Sequence, residues 1–157
     1  MGMFSRINDI VQANLNAMLD KAEDPEKIIR MIIQEMEETL VEVRSDAARF
    51  IAEQKTLNRQ LLAVNKEVNN WQRKAQLAMD NDKESLAKAA LVEKHKYVDK
   101  AAAINEQLTQ LSESIEKLQI DTARLNEKMR EAKQKQKALI TRKQTVSARL
   151  KVKTSQN

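Results

Sequence analysis

From Glu26 to about Leu150, apolar residues recur every three and four positions with almost no interruption. One series reads Ile29, Ile33, Met36, Leu40, Val43, Ala47, Phe50, Gln54, Leu57, Leu61, Val64, Val68, Trp71, Ala75, Ala78, and Gln54 is its only polar member. A second reads Ala101, Ile104, Leu108, Leu111, Ile115, Leu118, Thr122, Leu125, Met129, Ala132, Gln136, Leu139, Lys143, Val146, Leu150. A mean spacing of about 3.5 residues keeps one stripe of an under-wound α-helix facing a partner helix, the pattern of a left-handed coiled coil. Two such series joined by a short polar stretch predict an all-α chain: an N-terminal amphipathic helix, then a long antiparallel two-helix coiled-coil hairpin. The hairpin helices are expected at about 26–79 and 84–152, with a turn at about 80–83.

Composition agrees with helix nearly everywhere. The 157 residues include one Gly and one Pro, with 32% charged and 3% aromatic, and the turn clusters a sheet would need are missing. A two-helix stripe covers only part of each helix, so self-association through hairpin packing is expected on grounds of area. The absence of Cys excludes disulfides and thiolate chemistry and agrees with a reducing cytosol. No apolar run approaches a membrane span, and Met1–Arg6 lacks the features of a signal peptide, so the chain is expected to stay on the side where it is made.

The net charge of +5 is unevenly divided. Lys128 to Asn157 holds ten Lys or Arg against the single acid Glu131, whereas residues 1–127 carry eighteen basic and twenty-two acidic side chains.

Residues 1–24 read as a separate arm, helical over 3–21. Met3, Phe4, Ile7, Ile10, Val11, Leu15, Met18 and Leu19 fall on one half of a helical wheel, opposite a mostly uncharged polar half. That apolar face suits either docking on the hairpin or insertion into the boundary zone of a bilayer, as a stored and a deployed state. Asp24 and Pro25 mark a hinge. Proline pushes the residue before it out of helix, which frees Asp24 to act as N-cap with Pro25 at the first helical position. In the turn, Asp82 is expected to cap the second hairpin helix.

A reversal near residue 82 pairs positions whose numbers sum to about 164. Glu35, Glu37, Glu38 and Glu42 then lie beside Arg124, Lys128 and Arg130, a complementarity that helps select the antiparallel register. The second helix is matched only to about Leu139. The remainder, with Arg142, Lys143, Arg149, Lys151 and Lys153 as basic lipid-facing candidates, projects past the end where Pro25 sits. Anionic headgroups and nucleic-acid phosphates are both possible targets for these cations. Residues 128–157 hold no aromatic side chain for base stacking, and the arm at the same end favours lipid, so no direct nucleic-acid binding is expected.

Site chemistry is thin. His95 with Asp99 makes at most half of a metal or catalytic pair, and a solvent-exposed imidazole is the expectation. Asp80–Ser85 opens like a calcium loop but has Ser85 in place of the required Gly and Leu91 in place of the bidentate Glu. With Gly2 as the one glycine, no Gly-rich phosphate loop exists. No enzymatic activity, metal or cofactor is expected. Trp71 and Phe50 read as seam residues, with Trp71 alternatively an anchor for a protein partner.

The opening Met-Gly-x-Phe-Ser-Arg, the stretch Ala22–Pro25, the run Ile33–Arg44 and the segment Leu86–Lys94 together resemble the phage-shock protein A family of the ESCRT-III-like superfamily. The resemblance spans essentially the whole chain, with the vesicle-inducing proteins of plastids and cyanobacteria a more distant fit. It implies assembly through hairpin packing, binding of stressed inner membranes through the amphipathic helix on the cytoplasmic face, and reduced proton leakage. It further implies inhibition, through the hairpin, of an AAA+ activator of sigma-54 transcription. Members usually continue past the position of Asn157 into helices that lock neighbouring subunits. The resemblance therefore implies a shortened chain that keeps membrane and activator binding rather than long polymers.

Overall fold

The computed structural model describes residues 3–155, and the side chains of residues 6–154. Its helices are α1 (Met3–Gln12), α2 (Leu15–Asp20), α3 (Pro25–Asp80) and α4 (Glu84–Ser155), with no strand among the described residues. Asp24 starts α3 as expected. Its carboxylate accepts from the Lys27 N–H at 3.3 Å, its carbonyl accepts from the Ile28 N–H, and Pro25 takes the first helical position.

The arm differs from the single helix expected over 3–21. It breaks after Gln12, and α2 restarts after Asn14, whose side chain accepts from the Ala17 N–H at 3.0 Å. Asn14 sits in extended backbone at φ −88° and ψ 97°. An Asn side chain that bonds the backbone three residues on competes with helix continuation, and here it acts as an N-cap. Apolar periodicity could not register this, because both pieces keep the same face inward.

The turn also differs in detail. Asp82 lies in the left-handed region at φ 56°. The Lys83 N–H donates to the Ala78 carbonyl at 2.8 Å and the Asp82 N–H to the Met79 carbonyl at 3.1 Å. This pair of bonds is a Schellman closure, so Asp82 ends α3 instead of capping α4. The first bond of α4 runs from the Ala87 N–H to the Lys83 carbonyl at 3.0 Å.

The chain divides into two compact units. The first comprises the described parts of residues 1–46 and 118–157, the second residues 47–117. In the first unit α3 and α4 run antiparallel, and the arm packs on them. Leu15 joins Ile29, Ile33, Met36, Leu40, Leu125, Met129 and Ala132 in one core, with Ile10, Ile32, Leu19 and Leu139 partly buried against it. Thr39 is fully buried there and satisfies its hydroxyl on the Glu35 carbonyl at 2.8 Å. In the second unit two helices pack alone, closing largely on Leu57, Ala75, Ala87, Ala90, Ala101 and Ile115.

Every member of the first predicted series is buried or half-buried, and so is the second series as far as Leu139. The register lies slightly further along α4 than expected. Gln54 meets Ser112 and Gln72 meets Lys94 in the second unit, while Glu37 meets Lys133 and Glu26 meets Lys143 in the first.

Candidate functional site

The arm is an amphipathic element that has to rest its apolar side on something, and in this structure it rests on α3 and α4. Ile7 and Leu15 are each 1% exposed. Ile10, Val11 and Leu19 are half-buried and Met18 is exposed, while the side chains of Met3 and Phe4 lie outside the described residues. The geometry is that of an arm docked on the hairpin. Packing beneath the arm is incomplete: a cavity of about 390 Å³ lies between it and α3, lined mainly by Ile10, Ala13, Leu15, Met18, Met31 and Met36.

Among the described residues, polar side chains tie the arm to the hairpin at two points. The Arg6 Nε donates to Glu35 Oε1 at 3.2 Å and its Nη1 to Glu42 Oε2 at 2.9 Å. The hydrogen bond that Arg6 donates to Glu42, with the charges of Glu42 and Glu35, raises the guanidinium pKa above its ordinary value. On the other side, the Lys135 ammonium donates to the Asn16 side-chain oxygen. Sequence reasoning missed both contacts. A signal was present for the first, since Arg6 is the one Lys or Arg within residues 3–20.

The acidic cluster of α3 consequently has other partners than expected. Arg6 takes Glu35 and Glu42, and Lys133 meets Glu37 at 3.9 Å. Lys128 and Arg130, placed beside this cluster from sequence, pair within their own helix with Glu131 and Glu127, and Arg130 holds the Glu127 carboxyl below its ordinary pKa. The reason is the shifted register together with the arm, which occupies the flank of α3 that a two-helix reading left open.

Beyond Leu139 the seam has no cover among the described residues. Residues 140–154 are exposed, including Arg142, Arg149, Lys151 and Lys153 and the apolar Ile140, Val146, Leu150 and Val152. Lys143 is the partial exception, reaching back to Glu26 at 3.5 Å. Leu19 and Leu139 pack on one core, so the arm and the root of the basic segment are neighbours.

In the second unit Trp71 is half-buried in the seam. Its Nε1 is buried with no hydrogen-bond partner, and the Lys74 ammonium lies 4.2 Å from the ring centroid. His95 is exposed. Among the described residues no group of three or more His, Cys, Asp or Glu is placed to hold a metal ion, and no helix is long and apolar enough to cross a membrane.

Comparison with known proteins gives this geometry a context. A model of the PspA/IM30 family matches residues 2–157. The chain is 42% identical over 148 residues to the membrane-associated protein Vipp1 of Nostoc punctiforme, covering 94% of this chain and 57% of that protein. It is 30% identical over 148 residues to a phage shock protein A homolog of Deinococcus radiodurans, covering 94% and 66%. With protein LiaH of Bacillus subtilis it shares 29% identity over 151 residues, covering 94% and 65%. The chain thus spans little more than half the length of the cyanobacterial Vipp1 proteins it matches. Identity with these Vipp1 proteins exceeds that with the phage shock protein A homolog, the reverse of the ranking that the sequence resemblance implied. On the strength of a match over essentially its whole length, the chain belongs to the PspA/IM30 family.

Proposed function

We propose that this chain is a peripheral membrane-stress effector whose arm leaves the hairpin and lays Met3, Phe4, Ile7, Ile10, Val11, Leu15, Met18 and Leu19 into the boundary zone of a bilayer. The observation that carries the reading is the arm itself: a separately capped amphipathic element docked over an apolar gap, in a family with relatives named membrane-associated. Burying a side chain such as Ile7 or Leu15 stabilises by about 1.5–3 kcal/mol, and a bilayer returns a similar amount. Transfer from hairpin to membrane is then close to balanced, as a reversible device requires. Asp24 and Pro25 serve as the hinge between an arm domain (1–24) and a hairpin domain (25–157). Arg142, Lys143, Arg149, Lys151 and Lys153 face anionic headgroups.

The proposal includes assembly of copies through hairpin packing and action on the cytoplasmic face of the inner membrane, where the protein stabilises or remodels it. It also includes inhibition of an AAA+ activator of sigma-54 transcription by the hairpin, which is supported by the family resemblance alone. Membrane and activator would compete for the protein.

Flotation with anionic liposomes, with and without residues 1–24, is the test. Arm-dependent flotation supports the membrane reading, and failure of both forms to float removes it. A second reading, a structural coiled-coil scaffold whose arm only packs internally, draws on the near-complete burial of Ile7 and Leu15. Phe4→Glu combined with Ile7→Glu separates the two: lost flotation at full helicity favours the membrane, and lost thermal stability without a change in flotation favours the scaffold.

A further inference from the structure

Apolar transfer between hairpin and bilayer is nearly balanced, so polar contacts decide where the arm resides. One side chain dominates them. Arg6 is the one Lys or Arg within residues 3–20, a stretch that also contains Asp9 and Asp20. Without Arg6 that stretch would carry only Asp9 and Asp20 as charged side chains, and the next cation of the arm, Lys21, lies at its far end. In the docked state this guanidinium spans two carboxylates, Glu35 and Glu42, set two helical turns apart on one flank of α3. A guanidinium offers a planar fork of donors that matches carboxylate and phosphate oxygens equally well. All three side chains remain partly exposed, at 36% for Arg6 and 52% for each glutamate, so solvent and salt reach the contact.

We propose that Arg6 is the phosphate-binding residue of the arm, and that Glu35 and Glu42 occupy it in the docked state, so that lipid phosphate and these two carboxylates compete for one guanidinium. The proposal rests on the membrane reading and adds a ligand and a competitor to it. Undocking exchanges two carboxylate contacts for phosphate contacts, and the same exchange exposes Glu35 and Glu42 on α3. The latch therefore favours anionic over zwitterionic membranes, and loosens as ionic strength rises.

The test is titration of the full chain with vesicles of phosphatidylglycerol in phosphatidylcholine, and with phosphatidylcholine alone. It compares the unaltered protein with Glu35→Gln/Glu42→Gln and with Arg6→Gln. Glu37→Gln/Glu38→Gln is the control that removes equal charge from the same stretch of α3 and keeps both carboxylates that Arg6 contacts. Circular dichroism confirms that each variant is folded. Release of the latch should tighten binding of Glu35→Gln/Glu42→Gln to phosphatidylglycerol vesicles roughly three- to tenfold over the unaltered protein and the control. Arg6→Gln should bind these vesicles more weakly than Glu35→Gln/Glu42→Gln and match it on phosphatidylcholine.

Equal binding by the unaltered protein, the control and Glu35→Gln/Glu42→Gln overturns the latch. Arg6→Gln matching Glu35→Gln/Glu42→Gln on phosphatidylglycerol overturns the phosphate role. Amide exchange of α1, followed as inorganic phosphate replaces chloride at constant ionic strength, separates the two sources of phosphate: acceleration that depends on Arg6 would assign a free anion and overturn the lipid assignment. Absence of binding by every protein to every vesicle instead removes the membrane reading itself.

Discussion

Between Ile29 and Val43 the seam buries Ile29, Ile33, Met36, Leu40 and Val43, whereas between Phe50 and Ala78 only Leu57 and Ala75 are buried. The spacing of apolar residues is the same in both stretches. What differs is the number of helices that pack there. In the first unit the arm adds a third helical layer, and large side chains such as Leu15 and Leu125 reach zero or near-zero exposure. In the second unit two helices close on alanines, and bulky seam residues such as Leu61, Val64 and Trp71 stay half-exposed. A heptad pattern specifies which side of a helix turns inward, but the depth of burial depends on what covers the groove.

This contrast can be tested by truncation. Leu125→Ala, in the arm-covered core, should cost about 2–5 kcal/mol in urea unfolding. Leu57→Ala should cost less, near about 2 kcal/mol, because the two-helix groove already admits solvent. Equal losses would mean that the arm adds no effective cover. Removing residues 1–24 should narrow the gap between the two substitutions, since Leu125 then sits in a two-helix groove.

Caps give intermediate effects. Asp24→Ala should destabilise by about 1 kcal/mol through loss of the bond to the Lys27 N–H, read as a lower urea midpoint. Asp82→Gly should act in the opposite sense, since a glycine at that left-handed position escapes the Cβ clash. A gain of about 1 kcal/mol is expected, with the melting temperature of the second unit as the readout.

The smallest effect should come from the same seam where it loses its partner. Leu150→Ala should change stability by no more than about 0.5 kcal/mol, although Leu150 continues the series that contains Leu125. A loss near that of Leu125→Ala, measured in dilute solution and again at high protein concentration, would reveal that another copy covers this segment.

Much of the architecture was legible in the residues. The Asp24–Pro25 start follows from a local rule, because it depends on a side chain's own backbone, and the end of the covered seam near Leu139 follows from matching the length of α4 to that of α3 about the turn. The break at Asn14 was locally encoded too, yet apolar periodicity masked it. Asp82 was assigned to the wrong helix end, since an acidic residue in a turn can serve either and only its φ of 56° distinguishes them. The ion pairs of Glu35 and Glu42 depended on a third helix entering the flank of α3, which no pairwise register can supply.

The sequence by itself determined which faces are apolar, where helices start, and that basic charge gathers at the C-terminal part of α4. Those properties arise from interactions within a few residues along the chain. Only the tertiary structure decided that the arm is docked, that Ile7 and Leu15 lie in the first unit's packing, and that Arg6 faces Glu35 and Glu42. An amphipathic helix carries the same apolar pattern whether a hairpin or a bilayer covers it, so its choice of partner is settled by contacts between residues far apart in sequence.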